Sequence, residues 1–273
     1  MQTFNAEMAT GYQLVRQKTG KTIPYPLVRS LNGQETIWCI SPNHGRSFIL
    51  RHESDAEWTV GKGNGLSYTT HPFLLTSKIQ GDTWGGLPLA NAIRDYDIGC
   101  EVNALGIKTN RMECVVALDK TILQNGASCQ AALLQYSVEC PYRISDYGFI
   151  PQDILRQCLR KWEHPHGLYH LYAAEVIVRN LRTLKDHHIM HNAMHAQNYT
   201  WALELLDFEA SRSDLTPYDN PDYESFIPML SEAEAVQAYE IINYIAWCLG
   251  ETTDYNGIEY VFTKYGFEFQ PII

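Results

Sequence analysis

A chain of 273 residues that is 45% apolar, 12% aromatic and only 19% charged buries a full core and is not a disordered polymer. Its 21 Lys and Arg stand against 31 Asp and Glu, a net charge of −10, and with no Lys/Arg stripe the bulk field repels a nucleic acid rather than binding it. No apolar run reaches the roughly 18–20 residues of a membrane span, and the opening MQTFNAEMATGYQLVRQKTG has no apolar signal core, so the expected setting is cytoplasmic with no membrane partner.

From Glu35 the chain reads as strands: ETIWCIS, a turn at residues 42–46 (PNHGR), then SFILRH, two β-rich runs joined as a hairpin. EWTVGKG continues the strand pattern into a glycine-rich turn at residues 61–65. Residues 87–105 carry Leu89, Ala92, Ile93, Tyr96, Cys100 and Ala104 at helical intervals, with Gly106 as the stop. MECVVALD, closed by Asp119, and AALLQYSVE form two further strands.

After Pro141 the pattern turns helical. Helices are expected over 151–163 and 168–188, the second with Leu171, Ala174, Val178, Leu181 and Leu184 on one face. ALELLDFE is a short strand-like run after a polar loop. A last helix over 231–249 opens with Ser231 and Glu234 in capping-box spacing. There is no repeat and no low-complexity linker. Strands with one helix, followed by helices, define an α+β fold of two lobes: a β-rich N-lobe at 1–138 and a helical C-lobe at 139–273. Seven cysteines are scattered with no C-x-x-C pair, which favours small buried hydrophobes over disulfides or a zinc knuckle.

Four places carry chemistry, and their order matters more than any one. Lys62 ends a strand in Val60-Gly61-Lys62-Gly63, and alone reads as a solvated turn lysine. Asp95 lies in the one helix of the first half, and alone belongs to a solvent-facing stripe. The loop at residues 191–198 (HNAMHAQN) ends in Asn198, and Asp207 follows in LLDFE. A strand lysine, a helical acid, a loop ending in Asn and then Asp-Phe is the order of the protein-kinase template. A carboxylate and an amide oxygen, as in Asp207 and Asn198, suit hard Mg²⁺. His187, His191 and His195 stand four apart, but a zinc reading needs a helix through the segment, and the polar AQN argues for a loop.

These segments resemble the selenoprotein O-type protein adenylyltransferases, a branch of the protein-kinase-like superfamily. VGKGNGLSY is similar to K-G-A-G-x-T-P-Y, NAIRDYDIGCEVNALGIKTNRM to S-I-R-E-x-L-x-S-E-A-M-x-x-L-G-I-P-T-T-R, and HNAMHAQNYTWALELLDFE to H-G-V-M-N-T-D-N-M-S-x-x-G-L-T-x-D-Y-G. NHGRSFIL is similar to the family's G-D-G-R turn. The resemblance spans roughly residues 40–210 and implies a bilobal protein-kinase-like fold. It also implies that Lys62 and Gly63 hold nucleotide phosphates and that Asp95 pairs with Lys62, standing one methylene shorter than the family's Glu and so at a longer or water-bridged distance. Asn198 and Asp207 are implied to bind metal and Arg46 to touch a phosphate, with Glu101 as a reserve partner for Lys62.

Three departures stand out. Ala193 occupies the place of the ordinary kinase catalytic Asp, Gln197 that of the family's Asp before the Asn, and a family arginine falls near Tyr136. The implied function is Mg-ATP-dependent transfer of AMP or phosphate to a hydroxyl on a protein, peptide or small molecule, with His195 or His191 available to take a proton. The alternative is a nucleotide-binding pseudokinase scaffold without transferase activity.

Overall fold

The computed structural model describes residues 2–4, 12–18, 37–39, 47–50, 57–63, 86–124, 126–160 and 167–268. The chain divides into two compact units, Met1–Cys100 with Asn110–Pro141, and Glu101–Thr109 with Tyr142–Ile273.

The first unit holds β1 (Gln2–Phe4), β2 (Tyr12–Gln17), β3 (Ile37–Cys39), β4 (Ser47–Leu50) and β5 (Trp58–Lys62), then helix α1 (Leu89–Ala104) as far as Cys100, its last turn from Glu101 counting with the second unit, then β6 (Arg111–Gln124) and β7 (Ala127–Val138). The strands form one antiparallel sheet in the order β1-β3-β4-β5-β7-β6-β2. The expected hairpin is present, with Trp38 opposite Ile49. Its turn, including Arg46, lies outside the described residues.

β7 is buried without interruption from Ala131 to Val138, the pattern of a strand covered on both faces. It inserts beside β5, so Lys62 faces Leu134 on one side and Ser47 on the other. Asp119 does not close β6. The strand absorbs it in a register shift between Ala117 and Thr121 and continues to Gln124.

Gly63, after β5, has φ +101°, and a Cβ there would lie 2.4 Å from the Ala132 carbonyl oxygen and 2.8 Å from Leu87 Cβ. Only glycine fits that approach.

Helix α1 forms where expected, but its buried face is turned from the one its apolar residues outline. Ala92, Asp95, Tyr96, Ile98 and Val102 are buried, while Cys100 and Ala104 are exposed. On its flank, Asp97 takes a forked bond from Arg16 at 2.9 and 3.1 Å. The prediction of buried cysteines holds for Cys114, Cys140 and Cys248 and fails for Cys100.

The second unit contains α2 (Gln152–Arg160), α3 (Tyr169–Asp186), α4 (Ile227–Leu249) and α5 (Tyr255–Lys264). Leu171, Ala174, Val178, Leu181 and Leu184 are buried along one face of α3 as expected. Its N-terminus is capped from afar: Glu251 accepts the Tyr169 and His170 amides at 2.7 and 3.0 Å.

Helix α4 starts at Ile227 with Pro228 in its first turn, so Ser231 and Glu234 lie inside the helix and form no capping box. Helix α5 was not expected. Asp254 caps it by accepting the Gly257 amide at 2.9 Å. Among the described residues no helix is long and apolar enough to cross a membrane.

The fold is α+β. A β-rich unit with one helix precedes a helical unit, in the protein-kinase-like order of lysine strand, acid-bearing helix, hairpin, helices and loop.

Candidate functional site

In the first unit, β5 and α1 bring together the two residues that sequence order paired. Lys62 Nζ donates to Asp95 Oδ2 at 2.8 Å, with side chains 2% and 1% exposed. The contact is direct, so the shorter acid neither lengthens the pair nor calls for a bridging water. Asp95 is not on a solvent-facing stripe, and Lys62 is not a solvated turn lysine. Both readings fail because each charge was weighed alone, whereas a buried charge needs its partner. Glu101 is not a reserve partner. It lies in the second unit, where its Oε1 accepts the hydroxyls of Ser213 at 3.0 Å and Thr216 at 3.3 Å.

In the second unit the polar loop leaves α3 at Asp186 and is pinned along its length. Helix α3 ends at Asp186 and the backbone takes positive φ at His188 and Asn192, so no continuous helix carries His187, His191 and His195 as a zinc-binding stripe requires. His191 is fully buried, donates from Nε2 to the Leu206 carbonyl at 2.9 Å and meets Phe208 edge-on at 5.1 Å. It supports the Asp-Phe segment from beneath.

Helix α4 holds the loop from the other side. Glu234 accepts the Asn192 amide at 2.6 Å and Gln237 accepts the Met194 amide at 3.0 Å. Burial pushes the Glu234 carboxyl up to about 7 against the pull of its backbone donors.

The strand-like reading of ALELLDFE holds only at its centre. Leu205 bridges antiparallel to Tyr199 and parallel to Thr109. That double bridge delivers Asp207 two residues later, in the left-handed region at φ +69°, an uncommon conformation for a side-chain-bearing residue and one found at functional positions. Asn198 ends a 3-10 turn (Ala196–Asn198), donates from Nδ2 to the Ala193 carbonyl at 2.9 Å and accepts the Leu206 amide on its own carbonyl at 2.8 Å. The loop and the Asp-Phe segment are therefore tied through Asn198.

The sequence missed Arg143. Its Nη1 donates to the Gln197 carbonyl at 2.7 Å and lies 3.4 Å from Asn198 Oδ1 and 3.9 Å from Asp207 Oδ2. The two expected metal-binding oxygens therefore converge on one cationic nitrogen. A carboxylate and an amide oxygen form the donor set of a hard divalent ion, so these two residues fit one. His195 is partly buried and its pKa is lowered, chiefly by desolvation, with Asp207 raising it and Arg143 lowering it. It is a neutral imidazole at neutral pH.

No family model and no curated protein matches the chain. Among solved structures it is similar to a Stt7 homolog from Micromonas algae in a crystal soaked with ATP, at 14% identity and a TM-score of 0.44 over 87% of this chain and 80% of that one. It is also similar to the Cydia pomonella granulovirus kinase PK-1, at 13% identity and a TM-score of 0.33 over 85% and 68%. Likeness at this level decides nothing about chemistry, which rests on the chain's own geometry.

Proposed function

We propose that this chain is an ATP- and Mg²⁺-dependent transferase of the protein-kinase-like class that moves AMP or phosphate to a hydroxyl acceptor on a protein, peptide or small molecule. The observation that carries the reading is the buried ion pair of Lys62 and Asp95, at 2.8 Å with both side chains nearly inaccessible. A lysine held by a helical acid is a recurring part of kinase phosphate handling. Asn198 and Asp207 are the residues that would hold Mg²⁺, which neutralises phosphate charge as the transferred group moves.

Transfer requires the acceptor oxygen to bond to phosphorus as the bond to pyrophosphate or ADP breaks. The acceptor's proton must also leave. Ala193 and Gln197 supply no carboxylate for it, and the imidazole we assign to take it is His195, whose pKa burial lowers. His191 is committed to the Leu206 carbonyl and fully buried, so it serves as support.

Incubation with ATP labelled at the α- or the γ-phosphate tests the reading. Retained α label on acceptor means adenylyl transfer, as the selenoprotein O resemblance suggests, and retained γ label means phosphoryl transfer. Retention of neither, with ATP still bound, establishes the second reading of a nucleotide-binding scaffold. Ala193, Gln197 and the arginine beside Asn198 and Asp207 favour that reading.

A further inference from the structure

Arg143 is placed by backbone rather than by chance. Residues 142–144 pair with residues 199–201: the Ile144 amide donates to the Tyr199 carbonyl at 2.8 Å and the Trp201 amide to the Tyr142 carbonyl at 3.1 Å. Asp146 fixes the Arg143 amide as well, at 3.0 Å. The side chain, only 10% exposed, is thus aimed from a fixed base at Asn198 and Asp207.

We propose that Arg143 is a resident cation of the Asn198 and Asp207 site, and that a divalent ion enters only by displacing it. The inference rests on the reading of those two residues as metal ligands.

Two features make the competition physical. The Arg143 guanidinium brings positive charge to the same two oxygens that a divalent ion would use. A divalent ion placed between Asn198 Oδ1 and Asp207 Oδ2 would also lie against Arg143 Nη1, which already contacts both oxygens, and like charges at that separation repel strongly away from bulk water. The contacts are unequal as well. The 2.7 Å bond to the Gln197 carbonyl is short, while the approach to Asp207 is long at 3.9 Å. The guanidinium can pivot on the carbonyl and release the carboxylate while keeping its best bond.

The test is a Mn²⁺ titration of the full chain without nucleotide, followed by electron paramagnetic resonance of the free ion. Arg143→Gln is expected to bind Mn²⁺ at least about tenfold more tightly than wild type, a change of about 1.4 kcal/mol. Arg143→Lys, which keeps a cation on the same backbone, is expected to stay near wild type. Adding Asp207→Asn to Arg143→Gln is expected to abolish the gain, since Asn tolerates the left-handed backbone but removes the charge. Should Arg143→Gln fail to fold by circular dichroism, Arg143→Met replaces it and keeps an apolar stem.

Equal Mn²⁺ affinity in wild type and the uncharged variant overturns the proposal. So does a gain that survives loss of Asp207, or an equal gain in Arg143→Lys. Thermal stabilisation of wild type by ATP is read separately. Its absence overturns the transferase reading and leaves the Mn²⁺ comparison standing.

Discussion

At the scale of single residues, the pair of Lys62 and Asp95 defines what a buried charge demands. Removing one partner strands the other in a site that excludes water, at a cost of about 3–5 kcal/mol, whereas replacing both with apolar groups of similar volume is often neutral. Asp95→Ala should therefore lower stability in urea by about that amount, and the double variant Lys62→Met with Asp95→Leu should recover most of it. A double variant as unstable as the single one would mean that the other contacts of these side chains carry the stability. Template order found the pair from sequence. Hydropathy could not, because an acid on the buried face of α1 breaks the apolar pattern that marks that face. Arg143 was invisible for a different reason: its place beside Asn198 and Asp207 is set by pairing between segments more than fifty residues apart, which leaves no local signature.

At the scale of elements, α4 acts as the brace of the polar loop. Spacing alone made Ser231 and Glu234 a cap, but the helix begins a turn earlier, which frees Glu234 to reach the Asn192 amide. Its carboxyl keeps a proton to about pH 7 in the folded chain and releases it near the ordinary 4.5 when unfolded. Between those values the folded state binds more protons, so stability contributed by Glu234 is full below about 4.5 and falls as pH rises through about 7. Urea midpoints at pH 5 and pH 8 should show that decline, and Glu234→Gln, which keeps the acceptor, should flatten it. A decline of equal size in Glu234→Gln would assign it to another group.

Helix α5 makes a smaller prediction. Asp254→Ala removes the cap on Gly257 and should cost about 1 kcal/mol, read as a fall of roughly 2–4 °C in melting temperature. Ile258, Val261 and Phe262 stand at i, i+3 and i+4 and are all buried, a helical signal that Gly257 inside the first turn weakens.

At the scale of the whole molecule, the α+β class was legible because the hydrophobic period changes after Pro141. Binding tests whether that architecture serves a nucleotide. A ligand at a hundred times its Kd stabilises the folded state by about 2.7 kcal/mol, a rise of roughly 5–10 °C for a chain of this size. ATP with Mg²⁺ should give such a rise, and Asp207→Asn should remove the part that depends on Mg²⁺. No shift with ATP under either condition would remove nucleotide from the reading altogether.

The close approach at Gly63 has a consequence for descent. The atom that a side chain there would strike is the main-chain oxygen of Ala132, which every amino acid at position 132 carries alike. No second mutation on β7 can make room by trimming a side chain, so a lineage that loses this glycine has no compensating partner to change. Relatives sharing this sheet should therefore hold glycine immediately after the strand lysine even where the neighbouring positions of β5 have drifted beyond recognition, and an alignment in which that position varies freely would show that their sheets are spaced differently.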